Sequence, residues 1–188
     1  MPALPERIFL VGLSGGGKST VGPLVARSLG WAFVDSDREV EARTRREVTR
    51  IFAEDGEPAF RAIEAAVLRD LAARDRLVVA CGGGAITDPR SRAAIETGLV
   101  VWLRVSPAVA AARLDANPAT ENRPLLAGGA RARLEALLAG RLPLYQRADI
   151  AVDADTLSPA AAAAAIVEAW RSAAAAGRTH APGRLEPA

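Results

Sequence analysis

A chain of 188 residues has room for one α/β domain with a full core and is too short for two comfortable ones, so a single active site is expected. Its formal net charge of +2, with no block of basic residues, argues against a nucleic-acid partner. No apolar run approaches the ~20 residues of a membrane span and no cleavable leader is recognisable, so we expect a cytoplasmic protein without a membrane partner. We also expect a monomer.

The chain opens on a short apolar run, residues 8–11, that is typical of a strand buried on both faces. A glycine-rich turn follows, and a helix is predicted from 19 to about 29, ended by Gly30. A second strand, residues 31–34, leads into Asp35-Ser36-Asp37. Two carboxylates therefore lie just past the carboxyl end of a strand, where open α/β sheets bind their ligands.

Apolar residues at helical spacing predict two helices, 39–54 and 58–73, separated by Asp55-Gly56. The next strand, 77–81, is again apolar and ends in three glycines. Its last residue, Cys81, is the only cysteine, so the chain forms no internal disulfide and offers no cysteine pair for zinc. This usage fits a reducing compartment.

The second half of the chain continues the alternation. An aspartate or serine directly before a proline predicts helix starts at 88–89 and 106–107, on either side of a strand at 99–103. A helix from about 131 to 147 and a short strand at 150–152 follow.

Before that helix, residues 117–129 are rich in Pro, Asn, Gly and Thr, and we predict a mobile lid there. An alanine-rich helix is predicted at 159–176, followed by a disordered tail at 177–188. Five buried strands alternating with helices predict an α/β fold in which helices cover both faces of a parallel sheet. No linker or repeat divides the chain, so a single domain over 1–176 is expected.

The glycine-rich turn predicts phosphate binding. Residues 12–19 read G-L-S-G-G-G-K-S, which matches G-x-x-x-x-G-K-[ST] between a strand and a helix. The backbone N–H groups of such a loop turn inward around a phosphate, and the helix N-terminus adds partial positive charge. Lys18, the only lysine among 24 basic residues, is expected to reach the β- and γ-phosphates, and Ser19 to ligate Mg²⁺. A turn that merely caps a helix is the alternative, but it does not require this pattern.

Asp35 and Asp37 are the first candidates for the acceptor side. We expect their side chains to point in opposite directions and to serve different groups, one the Mg²⁺ and one the acceptor hydroxyl. The alternative is that the pair only caps the next helix, as Asp37 could do.

Arginines and glycines supply further candidates, each with a plainer interpretation. Arg61 precedes Glu64 by one helical turn, so the two form a local ion pair or Glu64 holds Arg61 for a substrate carboxylate. Gly82, Gly83 and Gly84 are a loose turn or a place where backbone approaches a ligand closely. Arg123, in the predicted lid, is a candidate for neutralising charge on the transferring phosphoryl group, and Arg141, on the helix behind the lid, is a second candidate functional arginine. For both, the alternative is a solvated surface position.

Taken together, the chain resembles the shikimate kinase family over about residues 7–170. Six stretches in the right order carry the resemblance: GLSGGGKSTVG from Gly12, FVDSDREVE from Phe33, IFAEDGEPAFRAIE from Ile51, CGGGAI from Cys81, RPLLAG from Arg123 and GRLPLY from Gly140.

The resemblance implies a three-layer P-loop kinase fold with a five-stranded parallel sheet in the order 2-3-1-4-5. It also implies substrate-binding helices within about 35–73 and a lid at about 113–129 that closes over ATP. The implied reaction transfers the γ-phosphate of ATP, with Mg²⁺, to the 3-hydroxyl of shikimate, a step of chorismate and aromatic amino acid biosynthesis.

Site residues follow from the resemblance position by position. The implied ATP contacts are Gly15, Gly16, Gly17, Lys18, Ser19, Thr20, Arg113 and Arg123. The implied shikimate contacts are Asp37, Phe52, Phe60, Arg61, Gly82, Gly83, Gly84 and Arg141. Arg61 and Arg141 would hold the carboxylate, while Asp37 would hold ring hydroxyls and orient or deprotonate the attacking one. Lys18 and Arg123 would stabilise the transferring phosphoryl group, and Ser19 and Asp35 would lie at the Mg²⁺, with Asp35 contacting it through water.

Two departures and two alternatives accompany this interpretation. The lid is a few residues longer than is typical and contains Pro118, and residues 155–157 lack the arginine that often lies against adenine, so backbone and apolar contacts are expected there. A gluconate kinase shares the phosphate loop but should lack the other motifs. A non-catalytic ligand-sensing domain of a transcription regulator would need a separate DNA-binding module, and seven residues precede the first strand.

Overall fold

A computed structural model describes residues 6–116 and 130–175 of the chain. Within these ranges five strands form one parallel sheet in the order β2-β3-β1-β4-β5, which confirms the fold that the resemblance implied. The strands are β1 (Arg7–Val11), β2 (Ala32–Asp35), β3 (Leu77–Ala80), β4 (Leu99–Arg104) and β5 (Ile150–Asp153).

Seven α-helices connect and follow the strands in the described part of the chain. They are α1 (Lys18–Leu29), α2 (Ser36–Thr44), α3 (Val48–Ala72), α4 (Pro89–Ile95), α5 (Pro107–Asp115), α6 (Ala130–Tyr145) and α7 (Pro159–Ala175). The two capping signals are confirmed, because Asp88 accepts a hydrogen bond from the N–H of Arg90 and Ser106 accepts one from the N–H of Val109. Among these helices none combines the length and the apolar character that a membrane crossing requires.

The two faces of the sheet are buried under different helices. Along β1, Ile8 and Leu10 join the core beneath α1 and α7, whereas Phe9 and Val11 join the core beneath α3 to α6. Because successive side chains of a strand point to opposite faces, a strand covered on both sides must be apolar throughout. This is why the central strands were readable as continuous apolar runs.

The outer strands depart from that expectation. We predicted five buried strands, but the side chains of β2 and β5 are mostly half-buried or exposed. Each has a neighbouring strand on one side only, β3 and β4 respectively, so each forms an edge of the sheet. The prediction was wrong for these two strands because their apolar residues do not reveal how many neighbours a strand has.

The helices after β2 also differ from the predicted pair. The first is α2, which begins at Ser36 and ends at Arg45, a residue with φ of 55° in the left-handed region. The second, α3, contains one non-helical residue, Gly56 (φ 80°, ψ 168°), so the predicted interruption at this glycine is confirmed inside a longer element. Asp37 consequently lies in the first turn of α2 and not on an extended strand.

The strand order determines which loops meet. In a parallel sheet all carboxyl ends lie at the same edge, and β3 runs between β2 and β1. In the register, Ala80 pairs with both Asp35 and Leu10. The triglycine turn, residues 82–84, therefore emerges between the acidic turn after β2 and the glycine-rich loop after β1.

Parts of the predicted organisation lie outside the described residues. These are most of the lid, residues 117–129 with Arg123, and the tail at 177–188. The single domain over 1–176 stays a prediction.

Candidate active site

The loop between β1 and α1 has the backbone that a phosphate cradle needs. Gly15 and Gly17 have φ values of 77° and 85°, in the left-handed region that side chains other than hydrogen disfavour. Gly17 is also the N-cap residue of α1, so the helix N-terminus opens directly onto the loop. Successive amides at such a terminus form a site for an anion.

Lys18 lies at the start of α1 and is buried. Its Nζ donates hydrogen bonds to the carbonyl oxygens of Gly12 and Leu13, at 2.9 and 2.8 Å. The ammonium group is thereby held across the loop at the mouth of the cradle. A compact ammonium group on a flexible stem can exchange such bonds for phosphate oxygens without moving the backbone.

Ser19, in the first turn of α1, contacts Asp35, the last residue of β2. The Ser19 hydroxyl donates to Asp35 Oδ2 at 2.7 Å, while Oδ1 of the same carboxylate accepts from the N–H of Asp37 at 3.1 Å and of Arg38 at 3.4 Å. Asp35 is therefore the N-cap of α2. From the sequence alone, Asp37 was the residue that could cap this helix. The carboxylate performs this capping and contacts the phosphate loop at once.

The donor set at this point suits Mg²⁺. A hydroxyl oxygen and a carboxylate oxygen are hard ligands, and Mg²⁺ is usually held by one or two protein oxygens together with phosphates and water. No group of three or more histidine, cysteine or acidic side chains arranged for a metal occurs in residues 6–116 and 130–175. A site built by the protein alone is thus not found there, whereas Ser19 and Asp35 fit a metal that arrives with a nucleotide.

The triglycine turn is the meeting point of the acceptor side. A Cβ atom built on Gly82 would lie 2.5 Å from Asp37 Oδ1 and 2.6 Å from Glu64 Oε1, so these two oxygens are at most about 5 Å apart. A Cβ atom on Gly83 would lie 2.8 Å from the Oγ of Ser14, in the phosphate loop. One on Gly84 would clash with Nη2 of Arg61.

The three glycines are therefore needed for close packing. None of them has a positive φ, so a left-handed backbone is not the reason for glycine here. The turn is also anchored, since the N–H of Gly82 donates to the Oγ of the fully buried Ser36 at 2.9 Å. The alternative interpretation, that residues 82–84 are only a loose turn, is therefore wrong.

Arg61 is buried, at 7% exposure, yet its charge is compensated. Nη1 donates to Glu64 Oε2 at 2.6 Å, and Nη2 donates to Glu57 Oε1 at 3.0 Å. The guanidinium carbon lies 5.2 Å from the ring centroid of Phe60 and 6.0 Å from that of Phe52. The local ion pair and the position beside the triglycine turn are both present, so the two interpretations of Arg61 do not exclude each other.

Glu64 is the most perturbed carboxyl group of the site. Its side chain is fully buried, and Oε1 has no hydrogen-bond partner among the described residues. Burial raises the pKa of Glu64 to about 7; the Arg61 guanidinium lowers it in part, and the neighbouring Asp37 carboxylate raises it further. This carboxyl group, close to the acceptor side, therefore titrates near neutral pH.

Arg141 reaches the same turn from α6. It is 8% exposed, and its Nη1 donates to the carbonyl oxygen of Gly83 at 2.8 Å. Arg61 and Arg141, 80 positions apart in the chain, thus contact adjacent glycines of one turn. Phe52 and Phe60 lie beside Arg61 with ring centroids 4.6 Å apart.

Arg113 lies on the nucleotide side. Its Nη2 donates to the carbonyl oxygen of Ala154, just after β5, at 2.6 Å, and its Nη1 is 3.9 Å from a Cβ built on Gly17. Thr20, next to Ser19 in the first turn of α1, is exposed, whereas Gly16 is buried. Arg123 falls outside the described residues, so its place relative to these groups stays a prediction.

Sequence reasoning did not single out four residues of this region: Ser14, Ser36, Glu57 and Tyr145. The Tyr145 hydroxyl donates to the carbonyl of Gly83 at 3.1 Å, beside Arg141. The available signal was spacing, because positions four apart on a helix share one face. Tyr145 follows Arg141 by four residues and closes the GRLPLY motif.

These features define a class of protein, the P-loop kinases that phosphorylate a small molecule. They are a phosphate loop after β1, a serine and an aspartate suited to Mg²⁺, and two arginines with a carboxylate around a neighbouring turn. Comparison with known proteins gives the family. The profile of the shikimate kinase family matches residues 14–171, and the chain belongs to this family. It is therefore an ATP-dependent kinase with an alcohol acceptor.

Curated relatives agree over most of their length. The chain is 45% identical to the shikimate kinase of Gloeobacter violaceus over 156 residues, 82% of this chain and 87% of that protein. It is 46% identical to the shikimate kinase of Halorhodospira halophila over 168 residues, 88% of this chain and 93% of that protein.

Solved structures place the fold in the same family. Shikimate kinase from Acinetobacter baumannii in complex with shikimate superposes with a TM-score of 0.84 at 37% identity, over 90% of this chain and 94% of that one. A gluconokinase from Sinorhizobium meliloti has a TM-score of 0.65 at 22% identity, over 93% and 97% of the two chains, and shows the shared fold alone.

Proposed function

We propose that this enzyme transfers the γ-phosphate of ATP to the 3-hydroxyl of shikimate, giving shikimate 3-phosphate and ADP. The observation that carries the proposal is the convergence of Asp37, Arg61 and Arg141 on one glycine turn that also touches Ser14 of the phosphate loop. Cationic groups for a carboxylate and an acid group for a hydroxyl thus lie beside the nucleotide cradle. The family of the chain supports the same acceptor.

On the nucleotide side, the amides from Gly15 to Thr20 hold the β-phosphate. Lys18 exchanges its bonds to the loop carbonyls for β- and γ-phosphate oxygens. Arg113, placed between Gly17 and Ala154, lies along the adenosine. Arg123 is brought by the lid to the transferring group.

On the acceptor side, Arg61 and Arg141 grip the carboxylate. A planar guanidinium matches a carboxylate with two parallel hydrogen bonds, and charge-assisted bonds of this kind are about twice as strong as neutral ones. Gly82, Gly83 and Gly84 let the ring of the substrate approach the backbone, and Phe52 and Phe60 cover its apolar part. Asp37 accepts hydrogen bonds from ring hydroxyls.

The reaction forms one bond from the acceptor oxygen to the γ-phosphorus and breaks the bond from that phosphorus to the bridging oxygen of ADP. The hydroxyl proton passes to Asp37. Because the transition state is loose, with little bond formation to the attacking oxygen, Asp37 does not need to be a strong base. Positioning of the hydroxyl and neutralisation of phosphate charge by Lys18 and Arg123 supply most of the acceleration.

Mg²⁺ is the proposed metal. Ser19 would ligate it, and Asp35, which holds the Ser19 hydroxyl, would contact it through water. When bound with the nucleotide, the ion neutralises charge on the β- and γ-phosphates. We also place the enzyme in the cytoplasm as a monomer, in keeping with its single, buried Cys81.

A comparison of ADP formation with several acceptors tests the proposal. ADP formation is followed in a coupled assay with shikimate, quinate and gluconate in parallel, at equal ATP and Mg²⁺. Shikimate should be turned over far better than the other two. Strong turnover of gluconate with none of shikimate would assign the chain to the gluconate kinase alternative. Binding of shikimate without turnover of any acceptor would favour the ligand-sensing alternative.

A further inference from the structure

Tyr145 is a buried polar side chain to which the reaction outlined above gives no part. It ends α6, is 1% exposed, and donates its hydroxyl proton to the carbonyl oxygen of Gly83 at 3.1 Å. Its ring stacks on Trp102 of β4, with centroids 5.6 Å apart and planes 11° apart. The hydroxyl is thus aimed at the triglycine turn from a fixed ring.

The carbonyl that Tyr145 contacts has two donors. Arg141 Nη1 lies 2.8 Å from the same oxygen, so both lone-pair directions of the Gly83 carbonyl are used. The carbonyl of Gly83 and the N–H of Gly84 belong to one planar trans peptide and point in opposite directions. Two donors on the carbonyl therefore fix the direction of the Gly84 N–H.

That N–H is available for a ligand. Among the described residues, no acceptor is found for the N–H groups of Gly83 and Gly84, although the neighbouring amides of Gly82 and Ala85 are both paired. Gly84 also packs against the Arg61 guanidinium. The fixed amide therefore adjoins one of the two arginines assigned to the carboxylate.

Tyr145 also acts on the other arginine. Its hydroxyl is close enough to the Arg141 guanidinium for that charge to lower the pKa of the phenol, against a larger effect of burial, which raises it. The net pKa of Tyr145 is raised above its usual value, so the phenol keeps its proton and remains a donor at neutral pH. One hydroxyl thus contacts the turn and adjoins Arg141.

We propose that Tyr145 is a positioning residue for the acceptor carboxylate, which it serves by holding the Gly83–Gly84 peptide and Arg141 in their binding orientations. The proposal rests on the assignment of Arg61 and Arg141 to the substrate carboxylate. The Tyr145 ring packs on the Trp102 ring. The Cδ1 of Trp102 lies 3.5 Å from a Cβ built on Gly12, so the pair of stacked rings also contacts the start of the phosphate loop. Tyr145 itself does not contact the substrate.

The test compares Tyr145→Phe with the wild-type enzyme. Phenylalanine keeps the stacked ring and removes only the hydroxyl. We expect KM for shikimate to rise about threefold to tenfold, the effect of one lost hydrogen bond, while KM for ATP stays unchanged. Ser91→Ala is the matched control, because it removes a fully buried hydroxyl that has no hydrogen-bond partner in residues 6–116 and 130–175, and it should change neither KM.

A second substrate locates the effect. The ratio of kcat/KM for shikimate to that for its methyl ester should fall in Tyr145→Phe, since only the free acid uses the carboxylate pocket. Equal losses for acid and ester, or equal increases in KM for shikimate and ATP, would overturn the proposal. If Tyr145→Phe lowers the thermal unfolding midpoint, both proteins are compared by calorimetric titration with shikimate well below that midpoint, where both are folded.

Failure of the underlying assignment would be recognised separately. If the wild-type enzyme prefers an acceptor other than shikimate, the proposed function fails, and the acid-to-neutral comparison is repeated with the preferred acceptor. An acceptor without a carboxylate would then overturn the proposal for Tyr145 as well.

Discussion

The carboxyl group of Glu64 should make the stability of this enzyme depend on pH in a direction opposite to that of most acidic residues. Its pKa in the folded protein is raised to about 7 from 4.5, mainly by burial. The folded state therefore binds this proton more tightly than the unfolded chain does. Linkage then requires that stability is lost as the pH rises between these two values.

The magnitude follows from the size of the shift. Each unit of pKa difference corresponds to about 1.4 kcal/mol of unfolding free energy. The range from pH 5 to pH 8 covers most of the interval between the unfolded and folded pKa values of Glu64. Over this range the unfolding free energy of the wild-type protein should therefore fall by about 2 to 3 kcal/mol relative to a variant without this titration. Glu64→Gln is that variant. It keeps the shape of the side chain and an oxygen that can accept from Arg61.

Urea unfolding at pH 5 and pH 8, at constant ionic strength, measures the effect as the difference between the two proteins. Taking the difference cancels the other titrating groups that both proteins share. Glu57→Gln is the control, since it also removes a carboxylate bonded to Arg61, but one whose side chain is half exposed to water. Parallel stability profiles for wild type and Glu64→Gln, or a wild-type protein that gains stability relative to Glu64→Gln with rising pH, would refute the reasoning.

Two further substitutions test the two halves of the site. Gly82→Ala places a methyl group 2.5 Å from Asp37 Oδ1, so in initial-rate kinetics KM for shikimate should rise at least about tenfold with KM for ATP unchanged. Gly140→Ala, whose Cβ meets no described atom within 4 Å, should alter neither KM. Equal changes in KM for shikimate in Gly82→Ala and Gly140→Ala would show that the contact between the new methyl group and Asp37 is not the cause. Asp35→Asn should raise the Mg²⁺ concentration for half-maximal rate by about 10- to 100-fold, the usual effect of replacing a residue that orients a metal ligand. A lower rate with an unchanged Mg²⁺ titration would remove Asp35 from the metal site.

The fold was largely readable from the sequence where burial is complete. The central strands are apolar at every position because helices cover both faces, and helix starts at Asp88 and Ser106 have capping side chains with a proline behind them. The end of α2 was missed, because it depends on a left-handed backbone at Arg45, and an arginine does not indicate that conformation. The predicted start of this helix was wrong as well, because the helix begins at Ser36 and not at residue 39, so that Asp37 lies in its first turn.

The candidate site was readable only in part. The phosphate loop is local, so its residues and their order suffice to predict it. The acceptor side joins residues from four separate segments, and which segments meet depends on the strand order, for which only the family resemblance gave a basis. Glu64 illustrates the limit: its pair with Arg61 follows from helical spacing, but the approach of its other oxygen to Gly82 follows from the position of β3 between β2 and β1.

The triglycine turn couples the two halves of the site mechanically. Together its glycines pack against three segments: Gly82 against the acidic turn and α3, Gly83 against the phosphate loop, and Gly84 against Arg61, which also lies on α3. A side chain at any of these positions would push one segment away from the other two. Because rates of phosphoryl transfer depend on how well the acceptor oxygen is aligned with the γ-phosphorus, a displacement of about 1 Å is enough to cost two orders of magnitude. The distance from the phosphate cradle to the acceptor pocket is therefore set by how closely the side chains of Ser14, Asp37 and Arg61 pack against the glycine backbone of this turn.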